Sequence, residues 1–173
     1  MSTQMIFQVQ LALGYLACLL VFFTYIQPRL RAMDDFRAHR VIVTIHSFRF
    51  IGLAFLVPGV VGSGVPANFA HYAAYGDFAT SLLAILALLM ARVRPAFWVL
   101  VIAFNLVGTA DLLGNYFLAM RLGLPFVSGQ LGSMYFIPVL PVPMMMITHL
   151  AAFYRLLHRG KKEPALAGNV VLS

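Results

Sequence analysis

Two histidines, an arginine, two aspartates and two asparagines interrupt the long apolar runs of this sequence, and these are the residues equipped for chemistry. His46 and Arg49 are three positions apart, so on a helix they share a face one turn apart. Asn105, Gly108, Asp111 and Asn115 fall within an arc of about 120° on a helical wheel and make one polar stripe. His149 follows Pro138, Pro141 and Pro143 in the last apolar run. His46, Arg49, Asn105 and His149 form a candidate ligand-binding layer at similar depth. Two histidines on separate antiparallel helices would ligate a haem iron axially, or hydrogen-bond a quinone carbonyl. Asp77, Asp111, Asn115 and Tyr135 form a second, outer polar group. Two carboxylates at similar depth would share a proton or hold a cation.

Each candidate also has a plainer role. Arg49 would snorkel towards headgroups and pair with a backbone carbonyl or Asn105. His46 and His149 would be interhelical hydrogen bonders. Asp77 would cap a helix after Tyr75-Gly76, and Asp111 would bond Asn115 or a nearby hydroxyl. The three prolines remove amide donors and kink the last run, leaving a packing irregularity or the wall of a cavity. No GxSxG, Walker loop, HExxH or dense acidic box is present, which argues against hydrolytic and ATP-driven chemistry. The single cysteine, Cys18, rules out an intrachain disulfide, a CxxC pair and a thiolate metal site. No catalytic residue and no metal ligand set is assigned, so the sequence leans away from an enzyme.

The elements that must position these groups follow from composition. Of 173 residues, 62% are hydrophobic and 10% charged, with a mean hydropathy of +0.91. Soluble chains carry about 25% charged residues, so an all-α integral membrane bundle is expected. A hydrocarbon core about 30 Å thick needs roughly 20 helical residues per crossing. Spans are placed near 5–27, 41–61, 77–93, 96–119 and 134–157. Pro28 with the charged stretch to Arg40, the Gly62–Pro66 loop, Arg94-Pro95 and the stretch from Gly123 to Gly132 separate them. Residues 1–160 read as one transmembrane domain and 161–173 as a short basic tail. The stretch before the first run lacks the positive charge of a signal peptide, so that run reads as a retained span.

The net charge of +7 would suggest nucleic acid in a soluble protein. Here the basic residues flank apolar runs and form no continuous patch, so the expected partner is the bilayer. Ten of the twelve lie on one side of the five spans: Arg29, Arg31, Arg37, Arg40, Arg92, Arg94, Arg155, Arg159, Lys161 and Lys162. The excess of Lys and Arg in cytoplasmic loops then places the amino terminus outside and the carboxyl terminus inside.

Arg49-Phe-Ile-Gly52-Leu-Ala-Phe55-Leu56-Val-Pro-Gly59, then Pro66, Ala73-Ala-Tyr-Gly-Asp77 and Arg92, resembles the DoxX-like group of small bacterial membrane proteins. In that group an arginine and a glycine open a helix of the FLxxG kind, and an acidic residue begins the next. Arg49 takes the arginine position and Asp77 the acidic one, with Asp for the usual Glu. The amino-terminal span and the proline-rich last span are additions to the pattern. The resemblance implies a bacterial cytoplasmic (inner) membrane and an association with quinone-linked oxidoreductases. Two functions follow as expectations. One is a non-catalytic subunit binding a quinone or other small apolar ligand at His46, Arg49, Asn105 and His149. The other is a small transporter or channel component using Asp77 and Asp111 in an outer cavity. Five spans are few for an independent transporter, so a homo-oligomer or a membrane partner subunit is expected in either case.

Overall fold

The computed structural model describes residues 1–159, and these form helices and turns with no strand among them. The expected tail, 161–173, lies outside the described residues. Among the described residues five helical segments are long and apolar enough to cross a membrane: Thr3–Arg31, Asp35–Leu56, Ala67–Arg92, Arg94–Arg121 and Leu124–Leu157.

The first segment is α1 (Thr3–Val21), a π-helical turn (Phe22–Ile26) and α2 (Gln27–Arg31). Ser2 caps its start, its Oγ accepting from the Met5 amide at 3.2 Å. Pro28 was expected to end this span, yet the helix runs on to Arg31. The widened turn before Pro28, closed by a bond from the Gln27 amide to the Phe22 carbonyl, accommodates the ring and the missing amide.

The second segment starts six residues before the expected Val41 and stops five before Val61. Asp34 caps α3 (Asp35–His46), its Oδ1 accepting from the Arg37 amide at 2.9 Å. From Ser47 to Leu56 the chain tightens into a 3-10 helix. It ends at Val57, which is extended with ψ 123° because it precedes Pro58, whose ring disfavours the helical conformation there.

The third segment starts ten residues earlier than expected, as does the fifth, which begins at Leu124 where 134 was expected. The third was placed at 77–93, but α4 spans Ala67–Leu89 and continues as a 3-10 turn to Arg92. Pro66 supplies the non-helical start, with ψ 126°, and the alanine-rich stretch behind it propagates despite Asn68, His71 and Gly76. Asp77 therefore sits inside the helix and caps nothing.

α5 (Arg94–Arg121) begins with Pro95 in its first turn and ends before Gly123, whose φ of 69° is left-handed. A 3-10 stretch (Leu124–Tyr135), α6 (Phe136–Val139) and α7 (Pro141–Leu157) complete the chain. The break between α6 and α7 falls at Leu140, φ −120° and ψ −63°, immediately before Pro141.

α4 is central, packed along the second segment on one side and α5 on the other. Its buried face is built from small side chains, Ala70, Ala73, Ala74, Ala84 and Ala87, which allow both neighbours to approach closely. Two apolar clusters fill the interior. One, at the end carrying most arginines, gathers Phe22, Ile42, Phe97, Val101 and Phe104. The other, at the end of the Gly62–Pro66 and Gly123–Gly132 loops, gathers Phe7, Phe55, Phe69, Leu124 and Leu131. The buried His46, Arg49, Asn105, Asp111 and His149 lie between the two. Large apolar side chains such as Leu20, Val99, Leu106 and Met120 point outward, an exterior suited to hydrocarbon.

Candidate functional site

Arg49, on the 3-10 helix, is 2% exposed and occupies the middle of the bundle. Its Nε donates to Asp77 Oδ1 on α4 at 2.6 Å, and Nη2 donates to Asp111 Oδ2 on α5. Nη1 lies 3.3 Å from His149 Nε2 on α7. One guanidinium thus ties together three other segments through all of its nitrogens. Removing two carboxylates and a guanidinium from water is costly, and only such close pairing with further hydrogen bonds offsets it.

The hydrogen bonds beyond Arg49 determine which ring nitrogens carry protons. Asn105 Nδ2 donates to the Val101 carbonyl at 2.9 Å, which turns its Oδ1 towards His149 Nδ1, 3.1 Å away. His149 therefore donates through Nδ1–H and accepts from Arg49 through Nε2, as a neutral imidazole. The Thr148 hydroxyl donates to the Met144 carbonyl at 2.9 Å, so it accepts from His46 Nε2 at the same distance. His46 Nδ1 is left as a buried acceptor with no partner. The two imidazoles lie 4.2 Å apart, and Phe104 packs against both.

Three glycines make the space for this arrangement. A Cβ on Gly52 would collide with the Asp77 carboxylate, and one on Gly76 with the Asp111 carboxylate. A Cβ on Gly108 would stand 2.5 Å from His149 Nε2.

The residues expected in two layers are thus largely one network. Arg49 does not snorkel to headgroups, and its partners are Asp77 and Asp111 rather than a carbonyl or Asn105. Asp111 also accepts from Asn115 Nδ2 through Oδ1, at 3.0 Å. Tyr135 stands apart from the aspartates: its hydroxyl donates to Gln10 Oε1 at 2.6 Å and its ring packs on Phe7. Three of the four ring nitrogens that a haem iron would use are turned to Arg49, Asn105 and Thr148, and the imidazoles lie tilted against each other instead of facing across a gap. Thr148 was missed, although its place beside His149 on a helix entering the polar layer was a usable signal. Tyr15 and Tyr116, whose hydroxyls are 2.5 Å apart, were missed too, because nothing in either local sequence points to the other.

His46, Asn105 and His149 are fully buried against protein. Open space lies on the other side of the ion cluster. A cavity of about 110 Å³ is walled by Phe7, Leu11, Phe55, Phe69 and Leu131, with Asp77, Asn115 and Tyr116 as polar lining. Asn115 Oδ1 is buried and has no hydrogen-bond partner. A shallower recess between α4 and α5, bordered by His71, Tyr72, Tyr75 and Gly76, reaches Asp111 from outside. The Asp77–Arg49–Asp111 cluster separates the cavity from this recess.

A family model described as a domain of unknown function (DUF8737) matches residues 6–157. No curated protein and no solved structure matches the chain. Nothing in these comparisons links it to the DoxX-like group.

Proposed function

The chain belongs to the DUF8737 family, and from that premise we propose that it is a multi-pass membrane protein that binds a small apolar molecule carrying a hydrogen-bond donor. The apolar exterior and the gathering of arginines at one end support placement in a cytoplasmic membrane with that end inside. The observation that carries the ligand reading is the cavity beside Asp77 and Asn115, with Asn115 Oδ1 unpartnered inside the protein. A cavity near 110 Å³ is smaller than the apolar cavity of about 150 Å³ that holds benzene, so it admits at most one six-membered ring. The polar lining offers acceptors, the Asn115 amide oxygen and the Asp77 carboxylate. It therefore favours a phenol or the hydroxyl form of a quinone over the quinone carbonyl expected earlier. Binding needs no catalytic group, and the ion cluster serves as the rigid back of the site.

Native mass spectrometry after gentle extraction tests this, with hydroquinone and benzoquinone analogues as probes. Retention of the hydroquinone, and its loss of preference in Asn115→Leu, supports the reading. A purified protein that carries no small molecule and binds neither probe refutes it.

A second reading, a small transporter component, is favoured by the charge count. Two carboxylates face one guanidinium, so the cluster has capacity for a further proton or cation, and it lies between two recesses. Substrate- or pH-dependent flux in liposomes is its test. An Asp111→Asn variant with unchanged flux removes Asp111 from that mechanism.

A further inference from the structure

A second site lies at the arginine-rich end, away from the ion cluster. α1, its π turn and α2 pack against α7 with a groove of about 780 Å³ between them. Its length is apolar, with Leu19, Phe22, Phe23, Ile147 and Leu150 along the walls. Its mouth is polar, with Gln27, Arg31, Asp35, Arg155 and His158. The two chemistries are segregated end to end, as the tail and head of a lipid are.

The mouth is built around Arg155. Its side chain is 10% exposed and donates through Nη1 to the Leu30 carbonyl at 2.9 Å and through Nη2 to the Met33 carbonyl at 3.0 Å. Nη2 is also 2.7 Å from Asp35 Oδ1. Arg155 thereby anchors the turn between α2 and α3 onto α7 and neutralises Asp35, while its buried Nε has no partner among the described residues. Arg31 is exposed at the same mouth and, among the described residues, has no acidic partner within ion-pair distance. The mouth keeps an excess positive charge once Asp35 is matched by Arg155. The π turn Phe22–Ile26 falls where two of the wall residues arise, and such turns recur at functional sites.

We propose that this groove holds one anionic phospholipid, its acyl chain along the Phe22–Leu150 walls and its phosphate at Arg31 and His158. The proposal rests on the reading that these helices cross a membrane with the arginine-rich end at the inner headgroups. Charge complementarity selects an anionic head, and the apolar walls select an acyl chain over free phosphate.

Native mass spectrometry of the full chain, released from bilayers of equal phosphatidylglycerol and phosphatidylcholine, tests it. The wild type is expected to retain one phosphatidylglycerol per chain in clear excess over phosphatidylcholine. Arg31→Gln, at an exposed position, should lower that preference about fivefold, the effect of one basic residue facing an anionic lipid. Leu150→Trp, which fills the groove, should lower retention of both lipids. Equal retention of the two lipids by the wild type overturns the proposal. So does an unchanged preference in Arg31→Gln, or release of the lipid by inorganic phosphate. A chain that retains a second copy of itself in the groove instead of lipid also overturns it. A protein that fails to enter bilayers at all refutes the membrane reading instead, so the two failures are distinguishable.

Discussion

Replacing Arg49 by Gln leaves Asp77 and Asp111 buried on adjacent helices without the guanidinium that holds both. Removing one partner of a buried ion pair costs about 3–5 kcal/mol, because the other charge stays behind uncompensated. Here two pairs are lost together with the donor to His149, so the loss should reach at least that range. For a chain of this size each kcal/mol moves the unfolding midpoint by about 2–4 °C, so Arg49→Gln should lower it by about 6–20 °C. Thermal unfolding of the purified protein in one detergent, followed by circular dichroism, is the assay. The companion is the triple variant Arg49→Gln, Asp77→Asn, Asp111→Asn, which removes the charges as a set. The cost in the single variant is that of uncompensated buried charge, which the triple variant lacks, so it should regain most of the loss. A midpoint for Arg49→Gln within about 2 °C of wild type, less than 1 kcal/mol by the same scale, refutes the reasoning. A triple variant as unstable as the single one refutes it differently, since shape and not charge would then be what Arg49 supplies.

The close approach at Gly76 predicts that Gly76→Ala, which drives a methyl into the Asp111 carboxylate, costs about 1–3 kcal/mol. Gly129→Ala, whose Cβ would have its nearest neighbour at 3.9 Å, should stay within about 0.5 kcal/mol in the same unfolding assay. Ring nitrogen shifts by NMR should show His149 protonated on Nδ1 and His46 on Nε2, and Asn105→Leu should remove the preference at His149 alone. The Arg37 amide at Asp34 holds that exposed carboxyl below the ordinary range. Its capping contribution is therefore fully present above the unfolded value and is lost as pH falls through the lower, folded one. A carboxyl carbon titration should show a midpoint below that of an unstructured aspartate, and loss of the shift in Arg37→Pro.

Much of the architecture is legible in the residue order. Hydropathy and length mark five apolar segments, and all five appear as helices, because a run of that composition satisfies its backbone internally. The stripe of Asn105, Asp111 and Asn115 reads as inward-facing for the same reason, and Asn105 and Asp111 are buried. Boundaries were harder where a proline or glycine carried two meanings. Pro28 looks like a stop but is taken up by a π turn, whereas Pro58 does stop its helix through Val57. Gly76 looks like a break, yet it is a gap for the Asp111 carboxylate inside α4.

The sequence by itself determined that Arg49, Asp111 and His149 needed partners, because each is a polar group set in an apolar helix, while it left Asp77 at a helix end. Only the tertiary structure decided that the four are one another's partners. Arg49 reaches Asp77 across 28 residues, Asp111 across 62 and His149 across 100. Such pairings depend on depth and rotation, and both accumulate along a helix from its start. Placing the start of α4 at residue 77 instead of 67 shifts Asp77 by about 15 Å along the axis at 1.5 Å per residue. That error moves it from the centre of the bundle to its rim, away from the arginine it pairs with.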